Sequence, residues 1–327
     1  MRLHGATKDA VFSLEAGEGT WTARLALEGS GAQCLALDPR QPAILYAGSA
    51  DRGLFTSRDS GGSWERLDLP HDAVFSVAVS PVDGAVYAGC EPSMIFKSSD
   101  GGASWRELGA LRALPSAPSW SFPPRPWTSH VRWLAPSPHE AGVVLAGIEL
   151  GGVMRSADGG ETWADHRPGA QLDVHALAWH PSAVGRAYEA GGGGAAWSRD
   201  GGESWKAADR GRDRHYTWAL AVDPSDPDRW YVSASIGPQY AHRPGLARGR
   251  LYRWEGGGPW QSLSGGLPQP LENMVYALAA LPGRLFAGLI NGEIYSSDDL
   301  GDSWNRLQVN GDPLPGITAL VTTEAAA

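Results

Sequence analysis

The chain has 327 residues, a formal net charge of −9 and two cysteines. The acidic balance argues against general nucleic-acid binding, and no run of 18 apolar residues predicts a membrane span. The first residues lack the apolar segment of a secretory signal, and Cys34 and Cys90 stand at non-equivalent positions of the repeat described below, so we expect reduced thiols and a cytoplasmic protein.

Tryptophans recur along the chain at spacings of 41 to 58 residues, most of them close to 42. The seven positions are Trp21, Trp64, Trp105, Trp163, Trp205, Trp260 and Trp304. Five of them end a common octapeptide, as in SRDSGGSW (57–64) and SRDGGESW (198–205). A period of this length with strand-like contents predicts a radial array of small sheets.

The repeat at 30–67 shows the contents of one unit. SGAQCLALDP, AILYAGS, GLFTSRD and SWERLDL read as four short antiparallel strands, here called A to D, separated by turn-forming Pro, Gly and Asp. The octapeptide falls on the hairpin between strands C and D. Its glycines allow positive φ, and Asp59 can accept hydrogen bonds from turn amides. We therefore predict that this motif staples a hairpin and has no catalytic role.

The octapeptide resembles the Asp-box (BNR) repeat of sialidases, sortilin-type receptors, GH74-type glucanases and the photosystem II assembly-factor propellers. The resemblance covers the whole chain and implies a β-propeller. It implies no single activity, because this scaffold hosts many functions. True sialidase activity is not expected, because the N-terminal Arg-Ile-Pro-type motif is absent and sialidases have six blades.

The two ends of the chain complement each other. Residues 2–21 align without a gap with residues 45–64 and so supply strands B, C and D, whereas ITALVTT (317–323) resembles a lone strand A. The sequence therefore predicts an all-β, seven-bladed propeller of four-stranded antiparallel blades. It forms one domain over 1–327, and the C-terminal strand completes the N-terminal blade. A closed ring leaves no open edge, so we expect a monomer.

Aligned strands A share apolar positions, but two positions near their start vary in chemistry. One column reads Gln33, Phe75, Arg132, His175, Trp218 and Tyr276; the other reads Gly31, Ala73, His130, Asp173, Tyr216 and Met274. We expect these residues to line a funnel where the A strands enter the central channel, on the face formed by the D–A and B–C loops.

Two long insertions, at 111–132 and 236–250, fall on the same face and contain arginines but no acid. Arginine forks match carboxylate and phosphate geometry. The sequence therefore predicts a funnel for a small anionic ligand, sugar-like or an aromatic acid. The predicted ligand-binding residues are Arg132, Arg125, Arg214, Arg243, Trp127, Trp218, Tyr276, Gln33 and Asp173.

Acid–base groups near the funnel are few. Glu91 and Glu149 follow strand B in consecutive blades, close to His130 and His175. If the ligand is cleaved, by a hydrolase or lyase, His130 or His175 would be the base and Tyr216 or Glu149 the acid. A metal site from His130, His175, Glu91 and Glu149 is conceivable, but the spacing carries no local signature, so no metal or cofactor is predicted.

A non-catalytic function is the alternative. An assembly or interaction scaffold would use the same arginine-rich face to dock an acidic protein surface, as a broad, shallow patch. An enzyme would instead need several candidate groups within reach of one small volume.

Overall fold

The computed structural model describes residues 1–122 and 128–323 and shows a seven-bladed β-propeller, as predicted. Seven sheets follow one another along the chain, antiparallel except for one added strand described below, and helix within the described residues is limited to three short turns at Gly109–Ala113, Ala117–Ser119 and Pro238–Ala241. No helix within the described ranges is long and apolar enough to cross a membrane.

The strands are as follows. The first four sheets contain β1 (Arg2–Ala6), β2 (Val11–Ala16), β3 (Trp21–Ala26), β4 (Ala32–Leu37), β5 (Leu45–Ser49), β6 (Leu54–Ser57), β7 (Glu65–Arg66), β8 (Val74–Val79), β9 (Val86–Cys90), β10 (Met94–Ser98), β11 (Arg106–Glu107), β12 (Val131–Pro136), β13 (Val144–Ile148) and β14 (Gly152–Ser156). The last three contain β15 (Val174–Trp179), β16 (Ala187–Gly191), β17 (Gly194–Ser198), β18 (Lys206–Ala207), β19 (Tyr216–Val222), β20 (Arg229–Ser235), β21 (Arg250–Glu255), β22 (Gln261–Leu263), β23 (Val275–Leu281), β24 (Arg284–Leu289), β25 (Ile294–Ser297) and β26 (Asn305–Arg306). β27 (Val309–Gly311) and β28 (Ala319–Thr323) return to the first sheet.

The C-terminal strand closes the ring. β28 pairs antiparallel with β1, with Ala319 opposite Ala6, and so supplies the strand A that the N-terminal blade lacks. β27 adds a parallel strand to the outer side of the same sheet, beside β3, which the sequence did not predict. Both edges of the first blade are therefore covered.

Neighbouring blades pack closely along their inner strands. Glycines of strand B face the next blade: a Cβ added at Gly89 would lie 2.7 Å from Cγ1 of Val131, and one added at Gly147 would lie 2.5 Å from Cγ1 of Val174. The Oγ of Ser76 also donates to the carbonyl of Val131 at 2.7 Å. The B-strand glycine is therefore a steric requirement of blade packing.

The octapeptide staples the C–D hairpin, as predicted. The carboxylate of Asp59 accepts hydrogen bonds from Oγ of Ser57 (2.8 Å), the amide of Ser63 (2.8 Å) and Oγ of Ser63 (2.6 Å). The indole of Trp64 donates to the carbonyl of Gly61 at 3.3 Å. These carboxylate contacts are local and leave Asp59 on the outer rim.

One blade departs from the predicted four strands. After β14 the outer strand is reduced to a single bridge between Arg155 and Ala164. The amide of Val153 donates to Nδ1 of His166 (3.2 Å), so an imidazole replaces the backbone partner that would extend the ladder.

Candidate functional site

The variable column of the A strands coincides with a series of β-bulges. Val74 pairs with Cys90 and Ser76 with Gly89, which leaves Phe75 as the extra residue. The register of all six A strands from β4 to β23 breaks at the corresponding position, that is, at Gln33, Phe75, Arg132, His175, Trp218 and Tyr276. A bulge re-aims a side chain and is common next to functional sites. Here the six bulges direct the chemically different side chains of the variable column toward the central channel.

Four of these bulge residues meet. Trp218 stacks on Tyr276, with ring centroids 5.0 Å apart, and lies 4.4 Å from the ring of His175. The guanidinium of Arg132 lies 4.7 Å from the centroid of Trp218. Arg132 and Trp218 belong to blades that are not neighbours, so this contact shows that the side chains converge across the channel, as the funnel hypothesis requires.

His130 lies between two carboxylates. Its Nε2 is 2.6 Å from Oε2 of Glu149, its Nδ1 is 3.2 Å from Oε2 of Glu91, and Phe75 stacks on its other side at 4.1 Å between centroids. Burial disfavours the charged ring, but the contacts with Glu149 and Glu91 outweigh burial and raise the pKa of His130. The two carboxylates therefore favour the charged form of the ring.

Glu149 is almost fully buried, with 5% of its surface exposed. Burial opposes its ionisation, but the hydrogen bond from His130 and the charge of Arg132, whose Nε lies 3.7 Å away, lower the pKa of Glu149. A carboxylate held in its ionised form is a poor proton donor, so these contacts disfavour the predicted role of Glu149 as acid.

His175 is 1% exposed, and its two ring nitrogens differ. Nδ1 lies 2.6 Å from the backbone carbonyl of Thr217 in the next blade, and a carbonyl can only accept, so Nδ1 carries the proton. Nε2 lies 3.4 Å from Oδ1 of Asp173. Glu149, Asp173 and His175 each place one ligand atom within 4.8 Å of the others, which makes them the group most suited to hold a metal.

Tyr216 and Tyr276 are bridged by an imidazole that sequence reasoning did not single out. The Tyr216 hydroxyl lies 2.8 Å from Nε2 of His242, and Nδ1 of His242 contacts the Tyr276 hydroxyl. Burial raises the pKa of Tyr216, which keeps its hydroxyl protonated and weakens it as the predicted acid. Because His242 comes from the second insertion, only the loop's fold could reveal this bridge.

Several arginines of the loops around the predicted funnel already have partners. Arg214 donates from Nε to the carbonyl of Arg248 (2.6 Å) and pairs with Asp213, which also pairs with Arg250 at 3.1 Å. Arg212 pairs with Asp209, and Arg112 pairs with Glu107. The structure therefore places Arg214 in a salt-bridge network, whereas Arg132 contacts the aromatic stack.

The remaining predicted ligand-binding residues are placed as follows. Gln33 donates from Nε2 to the carbonyl of Val74 (3.0 Å) and so joins two blades. Arg243 is exposed in the second insertion. Arg125 and Trp127 lie outside the described residues.

The glycine run at 191–194 has a steric explanation. A Cβ added at Gly192 would lie 1.8 Å from Oδ2 of Asp173, and one at Gly193 would lie 2.5 Å from Oε1 of Gln171. The run therefore makes room for the side chains of the preceding D–A loop, including a carboxylate of the candidate site.

A separate cavity of about 450 Å³ lies between residues 268–273 and 289–295. None of the predicted site residues lines this cavity. The convergent chemistry lies instead at the bulges of the inner strands.

No protein-family model matches the chain, and no curated protein does so either. Solved structures do match. A GH74 xyloglucanase from Xanthomonas campestris superposes with a TM-score of 0.69 at 18% identity, over 94% of this chain and 52% of that one. A GH74 enzyme from Niastella koreensis gives 0.72 at 16% identity, over 92% and 51%.

The structure of YCF48 bound to D1 peptide gives a TM-score of 0.58 at 19% identity, over 84% of this chain and 80% of that one. The chain thus spans about half the length of these two GH74 enzymes and most of the YCF48 chain. At these identities the likeness shows the fold alone.

Proposed function

We propose that this propeller binds a small anionic ligand, sugar-like or an aromatic acid, in the funnel formed by the bulge residues of its inner strands. The observation that carries the proposal is the stack of Arg132, Trp218 and Tyr276, contributed by three different blades and standing beside buried ionisable groups.

Arg132 supplies the anion contact in this proposal. Its side chain keeps 23% of its surface exposed, so it is held in place but still accessible. Its guanidinium lies 4.7 Å from the centroid of Trp218, and guanidinium N–H groups can make bidentate contact with a carboxylate or phosphate. The faces of Trp218 and Tyr276 suit a planar or ring-shaped body, and the glycoside hydrolases among the structural neighbours make a sugar-like ligand the first class to test.

The proposal is one of binding and does not extend to the hydrolase or lyase activity that the sequence suggested. Glu149 is held ionised by His130 and Arg132, and burial keeps the Tyr216 hydroxyl protonated. His130 has both ring nitrogens beside carboxylates. These contacts leave the predicted acids poorly matched to proton transfer near neutral pH.

A thermal-shift screen tests the proposal directly. Sugar acids, phosphorylated sugars and aromatic carboxylates would be added to the wild type, Arg132→Ala and Arg24→Ala, the last at an exposed position of β3. A ligand at 100 times its dissociation constant adds about 2.7 kcal/mol to the free energy of unfolding. We expect a hit that is retained in Arg24→Ala and lost in Arg132→Ala. Equal shifts in all three proteins would place the ligand elsewhere.

A second candidate function is the docking of an acidic protein segment on the same face. Large apolar side chains are exposed in the D–A and B–C loops around the funnel, with Leu172 61% and Leu246 54% exposed. An apolar rim of this kind is typical of interaction surfaces. One of the structural neighbours, YCF48, was solved bound to a peptide, the D1 peptide.

The two candidates differ in which residues they need. Docking of a protein segment predicts that Leu172→Ser combined with Leu246→Ser abolishes capture of an acidic partner, whereas small-anion binding predicts no effect of that pair on a ligand-induced thermal shift. Val184→Ser, at a 68% exposed position on the opposite loops, is the matched control.

A further inference from the structure

Two adjacent blades bring three potential metal ligands together inside the funnel. Glu149 directly follows β13, and Asp173 and His175 flank Val174 at the start of β15. One ligand atom from each lies within 4.8 Å of the others. Residues from two separate blades, held by inner strands, form a more rigid arrangement than residues of one loop.

The position of His175 is the observation that points to a ligand. Its side chain is fully buried, and its Nε2 has no hydrogen-bond partner in the part of the chain that the structure describes. Because Nδ1 donates to the carbonyl of Thr217, the lone pair of the neutral ring lies on Nε2. That lone pair faces the carboxylate of Asp173 at 3.4 Å. A cation between Nε2 and this carboxylate, either a proton or a metal ion, would satisfy both atoms.

The carboxylate of Asp173, like Nε2 of His175, has unused hydrogen-bonding capacity among the described residues. No backbone or side-chain donor within residues 1–122 and 128–323 makes a hydrogen bond to it, although three-quarters of the side chain is buried. Gly192 leaves the space that this carboxylate occupies, since a Cβ there would lie 1.8 Å from Oδ2. The chain thus holds an underused acceptor close to the lone pair of His175.

Two nearby cationic groups contact Glu149 rather than Asp173. His130 and Arg132 both contact Oε2 of Glu149, at 2.6 Å and 3.7 Å, and His130 also lies 3.2 Å from Oε2 of Glu91.

We propose that Glu149, Asp173 and His175 bind one divalent transition-metal ion of the Zn²⁺ or Mn²⁺ class. One imidazole and two carboxylates suit these ions better than Mg²⁺ or Ca²⁺, which prefer oxygen ligands. The hydrogen bond from Nδ1 of His175 to a backbone carbonyl is the contact that typically orients a metal-bound histidine. Three protein ligands would leave coordination positions open to an anion. This last consequence rests on the function proposed above, whereas the metal site does not.

Metal binding can be measured without any organic ligand. The full chain would be stripped with EDTA, dialysed against ZnCl₂, MnCl₂, MgCl₂ or CaCl₂, and assayed for bound metal. CoCl₂ would serve as a spectroscopic probe of imidazole ligation. We expect about one Zn²⁺ or Mn²⁺ per chain, in line with a single three-residue site. Asp173→Asn and His175→Gln should weaken binding at least about tenfold.

Asp72→Asn is the matched control, because Asp72 lies in the corresponding D–A loop of an earlier blade, is exposed and pairs with Arg66. Asp173→Asn is the decisive variant, since a partly exposed side chain can be replaced without unfolding the chain, as a melting curve would verify. Substoichiometric Zn²⁺ and Mn²⁺ in the wild type, equal binding by Asp173→Asn, or tighter binding of Ca²⁺ than of Zn²⁺ would each overturn the proposal. An ion pair between a protonated His175 and Asp173 would then explain the geometry.

The failure of one proposal would not be mistaken for the failure of the other. The thermal-shift screen would be run on stripped and on metal-loaded protein. Stoichiometric metal binding without any anion hit would contradict the proposed function alone. An anion hit that depends on Arg132 but persists with EDTA, together with no metal uptake, would contradict the metal site alone.

Discussion

Nδ1 of His175 donates a hydrogen bond to the backbone carbonyl of Thr217, 2.6 Å away in the next blade. This single contact fixes the tautomer of the ring, joins two inner strands and leaves Nε2 directed at Asp173. A residue that the sequence singled out as a candidate base is therefore also a link between blades.

Replacing His175 should therefore lower stability. In His175→Ala the buried carbonyl of Thr217 loses its donor and the ring leaves a void beside Trp218, so we expect a loss of about 2 to 4 kcal/mol in the free energy of unfolding. Urea denaturation in EDTA measures this loss. His215 is exposed and directly precedes β19, the strand that contains Thr217. His215→Ala should change the free energy of unfolding by less than about 0.5 kcal/mol. Equal effects of the two substitutions would refute the inter-blade role.

Glu189 should make stability depend on pH. It is completely buried in β16, where burial, partly offset by the amide of Gln171, raises its pKa from 4.5 to about 8. Between these values the unfolded chain has released the proton and the folded chain retains it, so the contribution of Glu189 to the free energy of unfolding falls as pH rises from about 4.5 to 8.

Glu189→Gln removes this ionisation and keeps an acceptor for Gln171. We expect the variant to melt above the wild type at pH 8.5 and close to it at pH 4.5, with the difference between the two growing as pH rises. Glu140→Gln, at an exposed position, should follow the wild-type profile throughout. A difference between the wild type and Glu189→Gln that stays constant over this range would contradict the account of Glu189.

The B-strand glycines should not tolerate a methyl group. In Gly89→Ala the new Cβ would lie 2.4 Å from Oγ of Ser76 and 2.7 Å from Cγ1 of Val131, so either the blades separate or the strands shift. We expect a loss of about 1 to 3 kcal/mol. Gly109→Ala meets no atom within 4 Å and is the control. Thermal unfolding that is unchanged in Gly89→Ala would show that the blades pack more loosely than the structure implies.

Periodicity was sufficient to predict the architecture. The octapeptide marks five of the C–D hairpins, and the gapless alignment of residues 2–21 with 45–64 implies the closure that β28 and β1 make. Two local features were missed. The parallel strand β27 follows no repeat pattern, and the outer strand after β14 is lost because the His166 side chain takes a backbone hydrogen bond.

The candidate site was only partly predictable. The variable columns contained His130, Arg132, His175 and Trp218, because chemistry that differs between repeats stands out against a common scaffold. The aligned columns could not show which of these side chains form ion pairs or hydrogen bonds. Arg214 and Asp213 neutralise each other through contacts within their own loop, and His242 reaches the tyrosines only because the second insertion folds back over the channel. Which arginine remains accessible depends on such loop contacts, and these have no periodicity.

The most direct test of the proposed function is the dissociation constant of the best anion from the screen, measured by isothermal titration for the wild type and Arg132→Ala. A charge-assisted hydrogen bond contributes about 1.5 to 3 kcal/mol, so binding by Arg132→Ala should be weaker by a factor of about 10 to 100. Equal dissociation constants for the two proteins would contradict the placement of the ligand at the stack of Arg132, Trp218 and Tyr276.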